Sequence, residues 1–353
     1  MKLNMQKSIL SFIGKKEIYP TIFYLSHSTT NDYKVEFISD IPINSIYICK
    51  IKWNYSKNDL HLYINKTIYE ENGRNPYKFS NKFSNKYTTK NVSLLKSQIQ
   101  KTIRRRLNNL SINIAYQFMN LDLNEFLRRL LIITLEDVIL NEYFPIVTWM
   151  MVAYSTNKWK PGSRDIIWLL SYVNYLCNID YREAYGKIDT VMKPPNHTKN
   201  FYNSLIFSME LRKSYGGMNG DMKFINWYIT EWNYRFSNNK TKYIETLYNK
   251  MKILTIDLNM ELVKPINMLE EGVDFHNYPQ IINHIYSSYL MYDKEDIKKS
   301  IWEYNSKYNK RKFVKKTYPT LDKNVDDKLK EIWENIKEKK QELARKYLVQ
   351  HTI

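Results

Sequence analysis

Lysine and aromatic side chains alternate between residues 78 and 87, and the two types together suit nucleic acid. Lys78, Lys82 and Lys86 each stand directly before an aromatic residue. An ammonium group binds phosphate, while an aromatic ring stacks on an unpaired base. The segment therefore predicts contact with the backbone and bases of DNA, although a flexible basic linker explains the same composition equally well.

Two basic stretches, one long and one shorter, extend this prediction. The chain of 353 residues holds 54 Lys or Arg against 36 Asp or Glu, a formal charge of +18 that attracts polyanions. From Lys50 to Arg106 there are 14 basic and three acidic residues, and from Lys307 to Lys316 there are six basic and no acidic residues. The predicted DNA-binding set is Lys78, Lys82, Lys86, Lys101, Arg104, Arg105, Arg106, Lys310, Arg311 and Lys312.

Residue types that support hydrolysis are present without a recognisable pattern. Carboxylates of the kind used by two-metal nucleases occur in adjacent pairs, at Glu136-Asp137, Glu270-Glu271 and Asp326-Asp327. The six histidines and two cysteines include no H-E-x-x-H and no C-x-x-C, so we predict no metal site and no cofactor. Asp274 beside His276 suits general acid-base chemistry, but a turn capped by the aspartate is the favoured interpretation.

Three of the eight glycines lie within residues 214–221, just before a predicted helix. A Gly-rich backbone at a helix N-terminus binds phosphate through exposed N–H groups. A tight turn between two helices, with Asp221 as the N-cap, accounts for the same residues. We favour the turn, because the Asp221 carboxylate would compete with an anion.

The N-terminal residues have the spacing of a short binding motif. Gln6 is followed by Ile9, Phe12 and Ile13, whose i, i+3, i+4 spacing makes one apolar face of a helical turn. This pattern resembles the PCNA-interacting peptide, or PIP box, except that Ile13 replaces an aromatic residue. The resemblance implies a tether to a PCNA-type sliding clamp. The alternative is that these residues open the first core helix or strand.

Periodicity predicts a mostly α-helical body with a small N-terminal β-rich unit. Strands are expected at 33–38, 46–53 and 60–64, and an amphipathic helix carries Leu95, Ile99 and Ile103. A capping-box-like start at Asp122 opens the next, almost wholly apolar helix. Later helices are predicted at 164–177, 200–213, 221–236, 242–254, 279–292, 294–304 and 324–346. The expected organisation is a flexible clamp-binding tail (1–16), a small β-rich unit (17–72), a basic aromatic linker (73–90), a helical body (91–306), and a basic segment with a C-terminal helix (307–353).

A second resemblance covers residues 100–140. The basic residues before Arg106, the pair Arg128-Arg129, the apolar run that follows and the pair Glu136-Asp137 are similar to the helical C-terminal region of the replication-associated recombination ATPases. That resemblance implies a clamp-loader-like helical collar. No G-x-x-x-x-G-K-[ST] loop occurs, so no ATPase activity is expected. Salt bridges flanking the core, such as one between Glu125 and Arg129, explain the same charges and are favoured.

The sequence thus predicts a non-enzymatic accessory protein of DNA replication or repair, which binds single-stranded or branched DNA and is recruited by a sliding clamp. One alternative is a clamp-tethered enzyme such as a metal-dependent nuclease, and another is a viral or structural nucleic-acid-binding protein. Two cysteines are too few for a disulfide framework, and no long apolar run is present. We therefore expect an intracellular protein without a membrane span, located where DNA is replicated, in the nucleus or a viral replication compartment.

Overall fold

The protein is mostly α-helical with a small N-terminal β-sheet, as predicted. A computed structural model describes residues 20–27, 32–53, 58–73, 76–79, 91–183, 200–238, 250–258, 268–314 and 321–352. Among these residues, no helix combines the length and the apolar character needed to cross a bilayer.

The sheet has four strands in the order β2-β1-β4-β3. The strands are β1 (Ile22–His27), β2 (Tyr33–Ile38), β3 (Ser45–Lys52) and β4 (Asp59–Asn65). β1 pairs antiparallel with β2 and parallel with β4, and β3 pairs antiparallel with β4. The predicted strands are confirmed, whereas β1 was missed because its first four residues are apolar without alternation, as expected of a strand buried on both faces.

Helices form the rest of the core. A three-residue helical turn (Lys66–Ile68) and a π-helical segment (Tyr69–Gly73) follow the sheet. The four long helices after them are α1 (Val92–Arg104), α2 (Asn108–Asp137), α3 (Phe144–Ser155) and α4 (Ser163–Asn178). α2 kinks at Asp122, where the backbone is non-helical and the carboxylate accepts a 2.9 Å hydrogen bond from the N–H of Glu125. The aspartate therefore caps the second half of the helix, as its sequence context predicted.

The sheet and the helices share one hydrophobic core. Helix α3 is apolar on every side, with residues 144–153 all buried, because it lies between the sheet and the other helices. The indole of Trp149 donates to the carbonyl of Phe23 over 3.1 Å, and the Tyr33 hydroxyl donates to Asp165 over 2.5 Å. These two buried bonds fix β1 and β2 against α3 and α4.

The remaining elements are β5 (Tyr181–Arg182), α5 (Asn200–Ser214), α6 (Asn219–Ser237), a 3-10 turn (Glu270–Gly272), α7 (Ile281–Tyr286), α8 (Lys294–Ile301), a π-helical segment (Trp302–Ser306), β6 (Lys312–Phe313) and α9 (Lys323–Thr352). Helices α7, α8 and α9 build a second hydrophobic core around Ile285, Ile297 and Ile336. The helix expected at 279–292 is shorter, and residues 250–254 of the one expected at 242–254 are not helical.

Candidate nucleic-acid interface

Only part of the predicted DNA-binding set lies on the surface. Lys78, Lys310 and Lys312 are exposed, and none of them forms an ion pair among the described residues. Lys82 and Lys86 lie outside the described residues, as do the residues predicted to bind a clamp, Gln6, Ile9, Phe12 and Ile13. The three exposed lysines are therefore the cations of the set that the folded body offers to a polyanion.

Two predicted DNA contacts are instead buried ion pairs. The Lys101 ammonium lies 2.5 Å from the Asp274 carboxylate, and both side chains are buried. Arg104 donates to Asp137 and, over 2.8 Å, to Glu136. The expectation that Lys101 and Arg104 belong to an exposed basic surface is wrong, because the carboxylates that neutralise them come from distant parts of the chain.

Arg105 and Arg311 are also buried, and their guanidinium groups bond to backbone carbonyls. Arg105 donates to the carbonyl of Asn305 over 2.9 Å. Arg311 donates to the carbonyls of Ile103 and Ile179, over 2.8 and 3.0 Å. Cations at such helix C-termini satisfy carbonyls that have no intrahelical partner. These two arginines are structural as well, and their predicted exposure is wrong.

Arg106 is half-buried and also bonds to a backbone carbonyl at a helix C-terminus. Its backbone has φ of +61°, which turns the chain after α1, and its side chain donates to the carbonyl of Cys177 over 2.9 Å. The guanidinium also pairs with Asp180 at 2.5 Å. Arg106 therefore caps the C-terminus of α4 and is largely occupied within the fold.

Lys340 in α9 joins this buried network, although the sequence analysis did not single it out. Its side chain is wholly buried and donates to the carbonyl of Glu270 over 2.8 Å. Burial and the neighbouring Lys101 charge lower the pKa of Lys340 to about 7. The only sequence signal was its position on the apolar face of α9, between Ile336 and Leu343.

Asp274 and His276 form a turn, as favoured from the sequence. Asp274 accepts hydrogen bonds from the backbone N–H of His276 over 2.9 Å and from its imidazole over 3.0 Å. The second carboxylate oxygen is held by Lys101 and by Ser306. Asp274 is thus committed to the network, and no cluster of three or more His, Cys, Asp or Glu in the described part of the chain is arranged to hold a metal ion.

The glycine-rich loop joins α5 to α6, which confirms a turn between two helices. Asp221 is not the N-cap, however, because α6 begins two residues earlier, and Met218 at the N-cap supplies no side-chain hydrogen bond. Asp221 faces Arg129 at 3.5 Å. The predicted pair between Glu125 and Arg129 is replaced by one between Glu125 and Arg128 at 2.8 Å, since Arg128 lies three residues away on the same helical face.

The net positive charge is concentrated outside the described residues. The segments not described carry 17 Lys or Arg against four Asp or Glu, so they account for +13 of the formal +18. The described residues account for the other +5, and several of their cations are buried.

Comparisons with known proteins identify no relative. No family model matches the chain, and neither the curated proteins nor the solved structures contain a significant match.

Proposed function

We propose that the protein is a DNA-binding accessory factor of replication or repair, held at its site of action by a PCNA-type sliding clamp. The observation that carries this proposal is that Lys78, Lys310 and Lys312 are exposed and form no ion pair among the described residues, in a chain with a formal charge of +18. Exposed cations that the fold does not neutralise attract a polyanion. Replication compartments are the proposed location.

DNA contact is assigned to the exposed lysines and the basic segments. Lys312 is the first residue of β6 and Lys310 lies just before it, and the sequence continues with two more lysines at 315 and 316. Lys78 is the first residue of the segment 78–87, in which lysine and aromatic residues alternate. Phosphates dominate such binding, so affinity falls steeply with added salt.

A salt titration of DNA affinity tests this part. Replacing Lys78, Lys310 and Lys312 with Gln should weaken binding to single-stranded DNA and reduce the slope of log affinity against log salt by about 2. The matched control replaces Lys223 on α6 and Lys323 and Lys330 on α9, which are also exposed. Equal losses in both triple variants, or no DNA binding at low salt, would reject the assignment.

Clamp recruitment is tested separately with a peptide of residues 1–18. The peptide should bind a PCNA-type clamp, because Ile9 and Phe12 fill an apolar pocket while Gln6 hydrogen-bonds at its edge. A peptide with Ile9 and Phe12 changed to Ala should not bind. Equal binding of both peptides, or of neither, would rule out the tether and leave the DNA proposal standing on its own titration.

A further inference from the structure

Three arginines converge beneath the glycine-rich loop. Arg128 and Arg129 come from α2, and Arg212 comes from the last turn of α5. Arg212 is 3% exposed; its Nε donates to the carbonyl of Arg128 over 3.0 Å and its Nη1 to the carbonyl of Gly216 over 2.8 Å. The loop and the three guanidinium groups therefore form one connected site.

The site holds more positive charge than it neutralises. Glu125 is shared between Arg128 and Lys96, and Asp221 reaches Arg129 only at 3.5 Å. Burial and the adjacent Arg128 lower the pKa of Arg212 to about 10. Buried like charges at this spacing are costly unless an anion compensates them.

Donor groups remain free at the same place. Nη2 of Arg212 has no hydrogen-bond partner among the described residues, and the Nε atoms of Arg128 and Arg129 are buried without one. An atom at the position of a Cβ on Gly217 would lie 3.1 Å from the Cε of Met222, 3.7 Å from Nη2 of Arg212 and 3.8 Å from Oδ2 of Asp221. Gly217 therefore lies close to the Nη2 of Arg212, and the nearest atom between them belongs to the end of the flexible Met222 side chain.

The N-terminus of α6 adds N–H donors to this site. The helix has 19 residues, and its N-cap, Met218, provides no side-chain acceptor, so its first N–H groups have no intrahelical partner. Gly216 and Gly217 have φ of +69° and +154°, a backbone course that brings the loop close over the arginines. Backbone N–H groups and a helix dipole both favour an anion here.

We infer that the space between Gly217, Arg129 and Arg212 binds the dianion of a phosphate monoester. Without the phosphate, the Asp221 carboxylate is the anion that faces Arg129, at 3.5 Å, and the ligand displaces this carboxylate. A dianion with three oxygens can accept from the free Nη2 of Arg212, from Arg129 and from the N–H groups at the start of α6. Inorganic phosphate and the terminal phosphate of a DNA strand share this chemistry.

The test is calorimetry on the full chain with inorganic phosphate. Arg129→Gln should weaken binding by about tenfold or more through loss of a charged hydrogen bond, and Asp221→Asn should strengthen it by removing the competing carboxylate. Arg345→Gln is the control, because Arg345 is an exposed arginine on α9. Arg129→Gln is preferred to a change at Arg212, whose two backbone bonds also support folding.

A second arm compares oligonucleotides that do and do not carry a 5′-phosphate. A preference for the phosphorylated strand that is lost in Arg129→Gln assigns the site to DNA ends. Binding of inorganic phosphate without that preference assigns it to free phosphate. Absence of phosphate binding at millimolar concentration, or equal effects of Arg129→Gln and Arg345→Gln, overturns the inference. The phosphate arm involves neither clamp nor DNA strand, so its outcome is independent of the proposed function.

Discussion

The Lys101 ammonium and the Asp274 carboxylate meet at 2.5 Å, although 173 positions separate them in the chain. Their side chains are 5% and 0% exposed. The same carboxylate accepts from the hydroxyl of Ser306 over 2.8 Å. This one group therefore ties α1 to the loop before α7 and to the π-helical segment at Trp302–Ser306.

Loss of the Asp274 charge should destabilise the fold strongly. Burial opposes the charge, yet the Lys101 ammonium and the bonds from His276 outweigh it and hold the pKa of Asp274 well below its usual range. Asp274→Asn leaves the Lys101 ammonium buried without a counter-charge, which should lower the free energy of unfolding by about 3–5 kcal/mol. Urea denaturation measures the change.

A double variant separates the ion pair from the packing around it. Replacing Lys101 with Met and Asp274 with Asn together removes both charges, so it should recover much of the stability that Asp274→Asn loses. If the double variant loses as much stability as Lys101→Met and Asp274→Asn lose together, the single change Asp274→Asn does not leave an uncompensated buried charge.

Lys340 predicts a pH dependence of stability. Its pKa is about 7 in the folded protein and about 10.4 when the chain is unfolded, so the unfolded state binds one more proton between these values. The free energy of unfolding of the wild type, relative to that of Lys340→Met, should therefore rise as pH increases from 7, by about 2–3 kcal/mol at pH 9. Urea midpoints measured across this range provide the test.

The control for Lys340 is Lys330→Met, on the exposed side of the same helix. Its stability should run parallel to that of the wild type at every pH. A Lys340→Met curve that is also parallel to the wild type would mean that Lys340 keeps its proton in the folded state.

Asp165 predicts the opposite slope. Burial raises its pKa to about 6, although the Tyr33 hydroxyl and the N–H of Gly162 donate to its carboxylate. Because the folded pKa is raised, the stabilising contribution is complete below pH 4 and is lost as pH rises through 6, a change of about 3 kcal/mol. Asp165→Asn stays neutral, so between pH 5 and pH 8, where about half of this change falls, the wild type should lose about 1–2 kcal/mol more stability than the variant. Equal losses for both proteins would contradict the raised pKa.

The helical body and the strands could be read from local periodicity, because both depend on residues that are neighbours in sequence. Asp122 is an example, since its cap requires only the N–H of Glu125 three residues later. The roles of Lys101 and Arg311 could not be read this way. A buried cation and an exposed cation look alike in a sequence, and the partners that decide between them lie more than 100 residues away.

The arginine site shows the same limit. The glycine-rich loop was visible in the sequence as a candidate phosphate loop, but its neighbour Arg212 lies in one helix and Arg128 and Arg129 lie in another. Only tertiary packing brings the two helices together. The sequence therefore identified the backbone part of the site and missed the side chains that supply its charge.

Two glycines of this loop should respond differently to replacement by alanine. Gly217 has φ of +154°, and an added Cβ would lie 3.1 Å from the Cε of Met222, so Gly217→Ala should cost about 1–3 kcal/mol of stability through backbone strain. Gly220 lies in the first turn of α6, and a Cβ there meets no atom within 4 Å. Gly220→Ala should therefore be neutral or stabilise by about 0.5–1 kcal/mol, since alanine is the better helix former. Thermal or urea unfolding of the two variants compares them directly, and an equal loss in both would show that the loop does not require the backbone conformation of Gly217.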